Sequence, residues 1–393
     1  MISAVVDYMP LSLLDFISHF IFLFFYKKKE IINRKKNTLY GSSCRSLFHT
    51  LIEYILSQKK NSTILVSPIH HTSFRNIIEL FFLPENITVI PMNEFYNKII
   101  ITPEISDKKY DMCVVSHLFG QDLDTSELDK LTYKEECVFI EDRVQGGEFK
   151  QKFSNPIFDI VLYSCGMDKK PCALGGGIMY SRNKGLDIIL EMEKRIKTYR
   201  KETRVDRFVF LLQKIPTYIL YNCKFVICLV LLFMRLARFD LYKFICYYRK
   251  KNPGFMHNHY NIEPHYSTLE SIKYSLHNIG YIETEQKYAG FIFSYLLDHH
   301  RIKNIFIPWK KDSSLLSIYN TIQVKDRDTF IKHLNDNYIP VIDNPTYKLF
   351  SFDYENKQKD CEFNNSLVYL PTLYKMPFWE IKELVELLSN YNK

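Results

Sequence analysis

Glycine is scarce in this chain, with 12 in 393 residues, and three of them stand together at Gly175–Gly177. Tryptophan is nearly absent (Trp 2 against Tyr 28 and Phe 30). The 9 cysteines, at 44, 113, 137, 165, 172, 223, 228, 246 and 361, form no CxxC pair and no Cys/His cluster of zinc spacing. That excludes a zinc module and leaves no legible metal-ligand set. Several cysteines lie inside hydrophobic runs, where a thiol acts as a small apolar group, so the chain reads as one from a reducing compartment without structural disulfides. Neither phosphate-loop pattern is present: no GxxxxGK[ST] and no GxGxxG. The lysines are dispersed and the net charge is a modest +8, which excludes a nucleic-acid groove and mildly favours a small anionic partner or an anionic surface. Repeats and low-complexity stretches are lacking as well.

Long hydrophobic runs are also missing. FISHFIFLFFY (16–26) is too short to span a bilayer, is preceded by Asp15 and interrupted by His19, and is followed by Lys27, Lys28 and Lys29. Its charge lies on the wrong side for a signal peptide. The run at 215–239 is split by Asn222 and Lys224. Both segments read as buried helices of a large core, with interfacial helices lying on a membrane as the competing reading.

Between these segments, short apolar runs alternate with helical patterns. Strands are expected at 62–68, 86–92, 110–120, 137–142, 158–164 and 176–181, and helices at 39–56 and 73–83. From about 185 to 250 the pattern is helical and hydrophobic. After Asn252-Pro253-Gly254 the texture changes to a helix pair (265–297), strands at 318–324, 338–342 and 366–371, and helices at 326–337 and 377–391. This implies an α/β chain: an N-terminal hydrophobic and basic segment (1–37), a large domain with a mainly parallel sheet flanked by helices (38–250, including the hydrophobic helical stretch 206–239), and a smaller α+β C-terminal domain (251–393). In such sheets a site lies beyond the carboxyl ends of the strands. His70, His71, His117, Asp142, Gln145, Ser164 and Lys169 all fall there.

Taken singly, these residues have ordinary explanations. Asp142 suits a solvated strand end or a helix cap, and Lys169 a surface loop. Their chemistry nevertheless converges. A carboxylate at a sheet edge can keep a pyridine nitrogen protonated and make the ring an electron sink, with Gln145 within reach of the same ring. Ser164 can bind a phosphate oxygen, Lys169 can act as a nucleophilic amine, and the glycines can let the backbone approach a bulky group. A nucleophilic lysine must be partly neutral. Adjacent Lys170 either supplies the cationic neighbour that this requires or is itself the nucleophile.

The conjunction IEDRVQ (140–145) followed by S-x4-K-x6-G-G (164–177) resembles the DegT/DnrJ/StrS sugar aminotransferases, pyridoxal-phosphate enzymes of fold type I. The resemblance implies that Asp142 pairs with the pyridine nitrogen, Gln145 lies near the ring hydroxyl, Ser164 binds the phosphate, and Lys169 forms the Schiff base. It places Gly176 and Gly177 as the closing glycine pair. HLFGQDLD (117–124) is similar to the family's HxxGxxxD stretch and adds His117 and Gly120 as site neighbours. GSSCRSLF (41–48) falls where the cofactor phosphate meets a helix start, which involves the Ser46 amide and Arg45, although Cys44 and Arg45 depart from the family pattern. SPIHHTS (67–73) falls where an aromatic stacks on the ring, which points to His71, with His70 as the competitor.

The resemblance, spanning about 38–390, implies pyridoxal 5'-phosphate as cofactor and an amino donor such as glutamate. It further implies a keto acceptor on a nucleotide-linked sugar, a homodimer, and a cytoplasmic protein for which peripheral membrane contact stays open. A related elimination or dehydration enzyme, or a degenerate non-catalytic, membrane-associated relative, are the alternatives.

Overall fold

The computed structural model describes residues 12–25, 37–59, 61–118, 122–145, 149, 152–167, 169–182, 185–239, 260–300, 305–306, 320–337, 339, 341–343, 347–370 and 376–391. The expectations for Gly120, Cys246, the lysines after Tyr26 and the run 240–259 lie outside the described residues.

The first helix, α1 (Leu13–Phe25), starts on a reciprocal cap: the Asp15 amide donates to Ser12 Oγ (3.1 Å) and the Ser12 amide donates to Asp15 Oδ2 (3.0 Å). Next comes β1 (Thr38–Gly41), a strand hidden in what reads from sequence as the start of a helix. The helix proper, α2 (Cys44–Gln58), begins only after Ser43. There follow β2 (Ile64–Val66), the short β3 (His70–His71), α3 (Thr72–Phe81), β4 (Ile87–Val89), β5 (Met112–Ser116), β6 (Val138–Asp142), β7 (Ile160–Ser164) and β8 (Gly177–Ser181).

Seven of these strands form one sheet in the order β1-β8-β7-β6-β5-β2-β4. β8 runs antiparallel to both its neighbours, and the pairs from β7 to β4 are parallel. Both faces are covered. Ile64, Val66, Met112, Val114, Ile140 and Leu162 pack toward Leu47, Phe48 and Phe74 on one side. Leu65, Cys113, Val115 and Phe139 pack with Leu128 and Phe158 on the other. Double-sided burial is why these strands read as continuous apolar runs rather than alternating ones. Helix α2 is buried along most of its length and stacks Phe48 on Phe74 at 4.2 Å.

The chain continues through α4 (Leu186–Ile196), β9 (Arg200–Lys201), α5 (Arg204–Leu212), α6 (Ile215–Asn222) and α7 (Lys224–Leu236). β9 pairs in parallel with β10 (Ile262–Glu263), a contact that local sequence does not announce. Helices α8 (Tyr266–His277) and α9 (Ile279–His299) form the expected pair. A second sheet of four antiparallel strands joins β11 (Ile305–Phe306), β12 (Asn320–Val324), β13 (Ile342–Asp343) and β15 (Leu367–Leu370) in the order β11-β12-β15-β13. Its core is shared with α9, α10 (Arg327–Asp336) and the last helix, Phe378–Tyr391, through Phe293, Ile322, Phe330, Val368, Leu384 and Leu388. β14 (Tyr347–Lys348) leaves this unit to pair with β3, and Phe350 enters the core of the large sheet.

Candidate active site

The carboxyl edge of the large sheet gathers the ends of β2, β5, β6 and β7, the start of β8 and the N-terminus of α2. Register does the gathering. Asp142 is paired with Ser116, and Ser164 with Gly177, while Ser43 bridges to Gly176.

Asp142 is buried (2% exposed). Its Oδ2 accepts from Ser116 Oγ (3.1 Å) and its Oδ1 from the Val144 amide (3.0 Å). Burial raises its carboxyl to about 6, against the opposing pull of those two hydrogen bonds and of the charge on Lys169. Lys169, half-buried after β7, therefore shares an electrostatic environment with Asp142, and its charge also reaches Cys44 at the start of α2. Lys170 is more buried than Lys169 and precedes Pro171.

Sequence reasoning passed over what lies behind Asp142. The Ser116 amide donates to Ser67 Oγ (3.0 Å), and Ser67 Oγ shares a hydrogen bond with His70 Nε2 (3.1 Å). His70 is fully buried, edge-on to Phe350, and burial lowers its imidazolium to about 4, so it is neutral at ordinary pH. His70 is thus the histidine tied to the Asp142 network. His71, the choice from sequence, instead accepts from the Ser73 amide at Nδ1 (3.2 Å), caps α3, and meets Tyr347 edge-on. Gln145 is buried (2% exposed).

His117 is brought to a different cluster. Asp142 and Glu141 alternate on β6, and His117 faces Glu141. Its Nδ1 accepts from the Leu123 amide (2.8 Å), which leaves the ring proton on Nε2, 3.0 Å from Glu141 Oε1. Glu141 also accepts from the Ser154 amide (3.0 Å) and lies 3.6 Å from Arg143, whose Nη2 holds both oxygens of Asp122 (2.7 and 2.9 Å). Burial pushes the Glu141 carboxyl up, but the His117 hydrogen bond and the charge of Arg143 bring it below the usual range. His117, Asp122 and Glu141 have the proximity of a metal-ligand set, yet Arg143 already supplies their cation.

The helix start also differs from expectation. The Ser46 amide donates to Ser43 Oγ (3.0 Å) and the Ser46 hydroxyl to the Tyr260 carbonyl (2.6 Å). Ser46 is therefore committed to the cap and to a tertiary tie. The first turn of α2 also carries the amides of Cys44 and Arg45; Cys44 is buried and the Arg45 side chain is exposed.

Nor do the glycines clear space in the way their neighbourhood to a lysine suggests. A Cβ on Gly177 would lie 2.6 Å from Cys44 Cα and 2.7 Å from the Ser43 carbonyl carbon. Gly176 (φ +94°) would press on Ile272 Cδ1 at 2.7 Å, and Gly175 also has positive φ (+128°). In the structure, Gly177 makes room for the backbone at the start of α2. The described cysteines are all free thiols.

Sheet order, the edge site and the second small sheet define the class: the chain has the fold of the pyridoxal-phosphate-dependent aminotransferases, as the motif resemblance implied. No protein-family model matches the chain, and no curated protein matches its sequence. Among solved structures, it is similar to Helicobacter pylori PseC, an aminotransferase involved in pseudoaminic acid biosynthesis, with 12% identity, 100% of this chain and 99% of that one covered, and a TM-score of 0.63. It is similar to the PMP form of the Streptococcus pneumoniae protein Spr1654, described as a sugar aminotransferase (12% identity, 99% of each chain, TM-score 0.64). A DegT DnrJ EryC1 StrS aminotransferase from Brucella abortus matches at 10% identity over 90% of this chain and 86% of that one, with a TM-score of 0.60. At such identities the likeness establishes the fold.

Proposed function

We propose that this protein is a pyridoxal-phosphate-dependent aminotransferase that carries an amino group from an amino acid, glutamate foremost, to a keto group on a nucleotide-linked sugar. The observation that carries the reading is Asp142. A buried carboxyl at the carboxyl edge, raised toward neutrality by desolvation and within electrostatic reach of a lysine, is a site built to receive a cationic ring nitrogen.

The donor set fits the group. Asp142 would hold the pyridine nitrogen, with Ser116 and the Val144 amide fixing its two oxygens. Ser164 and the first-turn amides of α2 would take the phosphate, where the helix dipole favours negative charge. Gln145, buried three residues after Asp142 in sequence, would be the ring-hydroxyl partner. When bound, the cofactor withdraws electrons from the carbon that exchanges its proton. Lys169 Nζ takes that proton as a base and returns it as an acid, and Asp142 keeps the opposite charge fixed while it does so. A homodimer belongs to this reading. A sugar acceptor is supported by the described activities of the structural neighbours, and the nucleotide linkage by the family resemblance of IEDRVQ and S-x4-K-x6-G-G.

The test is spectroscopic. Purified protein with added pyridoxal phosphate should become yellow, and borohydride followed by peptide mass mapping should place the pyridoxyl group on Lys169. Lys169→Ala should lose that label and Lys170→Ala keep it. A protein that stays colourless overturns the enzyme reading, and a label that survives Lys169→Ala but not Lys170→Ala overturns the lysine assignment. Glutamate should shift the spectrum, and a keto nucleotide-sugar should restore it. Failure of every such sugar to do so overturns the acceptor class.

A further inference from the structure

Helix α1 is inside out. Its polar residues are spent on the protein: Asp15 accepts from the Tyr274 hydroxyl (2.9 Å), and His19 Nδ1 shares a hydrogen bond with Ser271 Oγ (2.7 Å). Phe16, His19 and Leu23 rest on a cluster with Cys172, Leu174, Leu211 and Tyr218. What remains exposed is Leu13, Leu14, Ile17, Ile21, Phe24 and Phe25, an apolar set from end to end, with Leu14 at 75% and Phe25 at 78% exposure. A helix lying on a soluble core places its polar stripe outward. This one does the reverse.

The pattern is repeated nearby. Helix α7 leaves Phe225, Leu229, Phe233 and Leu236 exposed at positions i, i+4, i+8 and i+11, one continuous face. The two helices are linked through intervening elements, since α1 packs on α5 and α6 through Phe20–Phe208 and Phe16–Tyr218, and α6 runs into α7 at Cys223. Charge is one-sided as well. No Asp or Glu occurs from Arg207 to Phe239, whereas Lys214, Lys224, Arg235 and Arg238 do. After α1 and Tyr26 the sequence reads KKKEIINRKK (27–36), in which Glu30 is the one acid among six basic residues.

From these features we infer that α1 and α7 form a peripheral docking surface for a bilayer rich in anionic headgroups. Large apolar side chains would enter the acyl boundary, and Lys214 and Arg238 would meet the lipid phosphates. Charge selects this occupant over a second copy of the chain, because a two-fold contact would set the same basic, acid-poor segments against each other. Among the described residues no helix is long and apolar enough to cross a membrane, so the mode is one of lying on the surface.

The test uses the full chain in vesicle flotation. Phosphatidylcholine vesicles containing about 30% phosphatidylserine should carry the protein at low salt, and pure phosphatidylcholine should carry about tenfold less. Raising the salt should release a large part of it. The triple variant Ile17→Ser, Ile21→Ser, Phe24→Ser alters only exposed positions, so its circular dichroism and sedimentation coefficient should match the wild type while anionic flotation falls at least about tenfold. Wild-type protein that never floats overturns the inference, as does a variant that floats as well as wild type. If the variant instead splits a wild-type dimer into monomers, the face belongs to a second copy and the lipid assignment is overturned.

Discussion

Replacing Asp142 by Asn tests the electrostatics of the site without asking for activity. In the cofactor-free protein the carboxyl stands at about 6 against an ordinary 3.8, because burial disfavours its charged form more than Ser116, Val144 and Lys169 favour it. A raised carboxyl is protonated in the folded state over a range where the unfolded chain has already lost its proton. Stability from this group is therefore present below the unfolded value and declines as pH rises through the folded one. About two pH units at about 1.4 kcal/mol each correspond to about 3 kcal/mol in all, of which roughly half appears between pH 5 and pH 8. Asn carries no charge, keeps an oxygen for the Val144 amide, and lets the Ser116 hydroxyl turn from donor to acceptor. The cofactor-free Asp142→Asn protein should then gain on the wild type as pH rises, with the gap in urea-unfolding free energy widening by roughly half of that 3 kcal/mol from pH 5 to pH 8. Added pyridoxal phosphate should close the gap by stabilising the wild type more, since the variant has no carboxylate for the ring nitrogen. A gap that does not change with pH would show that Asp142 ionises like an exposed carboxylate and would refute the desolvation argument.

Three further outcomes follow from particular contacts. Gly177→Ala would set a methyl group against the backbone of Ser43 and Cys44 and should lower stability by about 3 kcal/mol or more, read as a fall in thermal midpoint by circular dichroism. Ser43→Ala removes the acceptor of the Ser46 amide and should cost about 1 kcal/mol in urea unfolding; a neutral result would show that the cap contributes nothing. Glu141→Ala would leave Arg143 buried with Asp122 as its remaining carboxylate and His117 Nε2 with the longer Ser154 Oγ contact (3.3 Å) in place of a carboxylate, and should destabilise by about 3 kcal/mol or more. Soluble Glu141→Ala protein with wild-type stability would show that the His117–Glu141–Arg143 contacts contribute nothing to the fold.

The parallel strands were legible because burial on both faces makes each a compact apolar run, and the turn residues between them mark their ends. β1 was not legible: Thr38–Gly41 is short and becomes a strand by pairing with β8, a partner far away in sequence. β3 and β14 were hidden for the same reason. At the site, Asp142, Gln145, Ser164 and Lys169 stood out by spacing. Ser116 and Ser67 could not, because a serine near a strand end acquires meaning only when register sets it beside a carboxylate. His117 was read as a site neighbour from its stretch, but strand alternation sends it to Glu141.

By itself, then, the sequence determined the α/β alternation, the spacing of Asp142 and Lys169 along the chain and the apolar character of residues 16–26 and 215–239, since these depend on residue type and short-range spacing. Tertiary structure alone decided which face of α1 is exposed, which histidine joins Asp142, and what the glycines make room for. Each of those outcomes is set by an atom from a distant part of the chain: Ser271 beneath His19, the Ser116 amide on the Ser67 that holds His70, and Cys44 against Gly177.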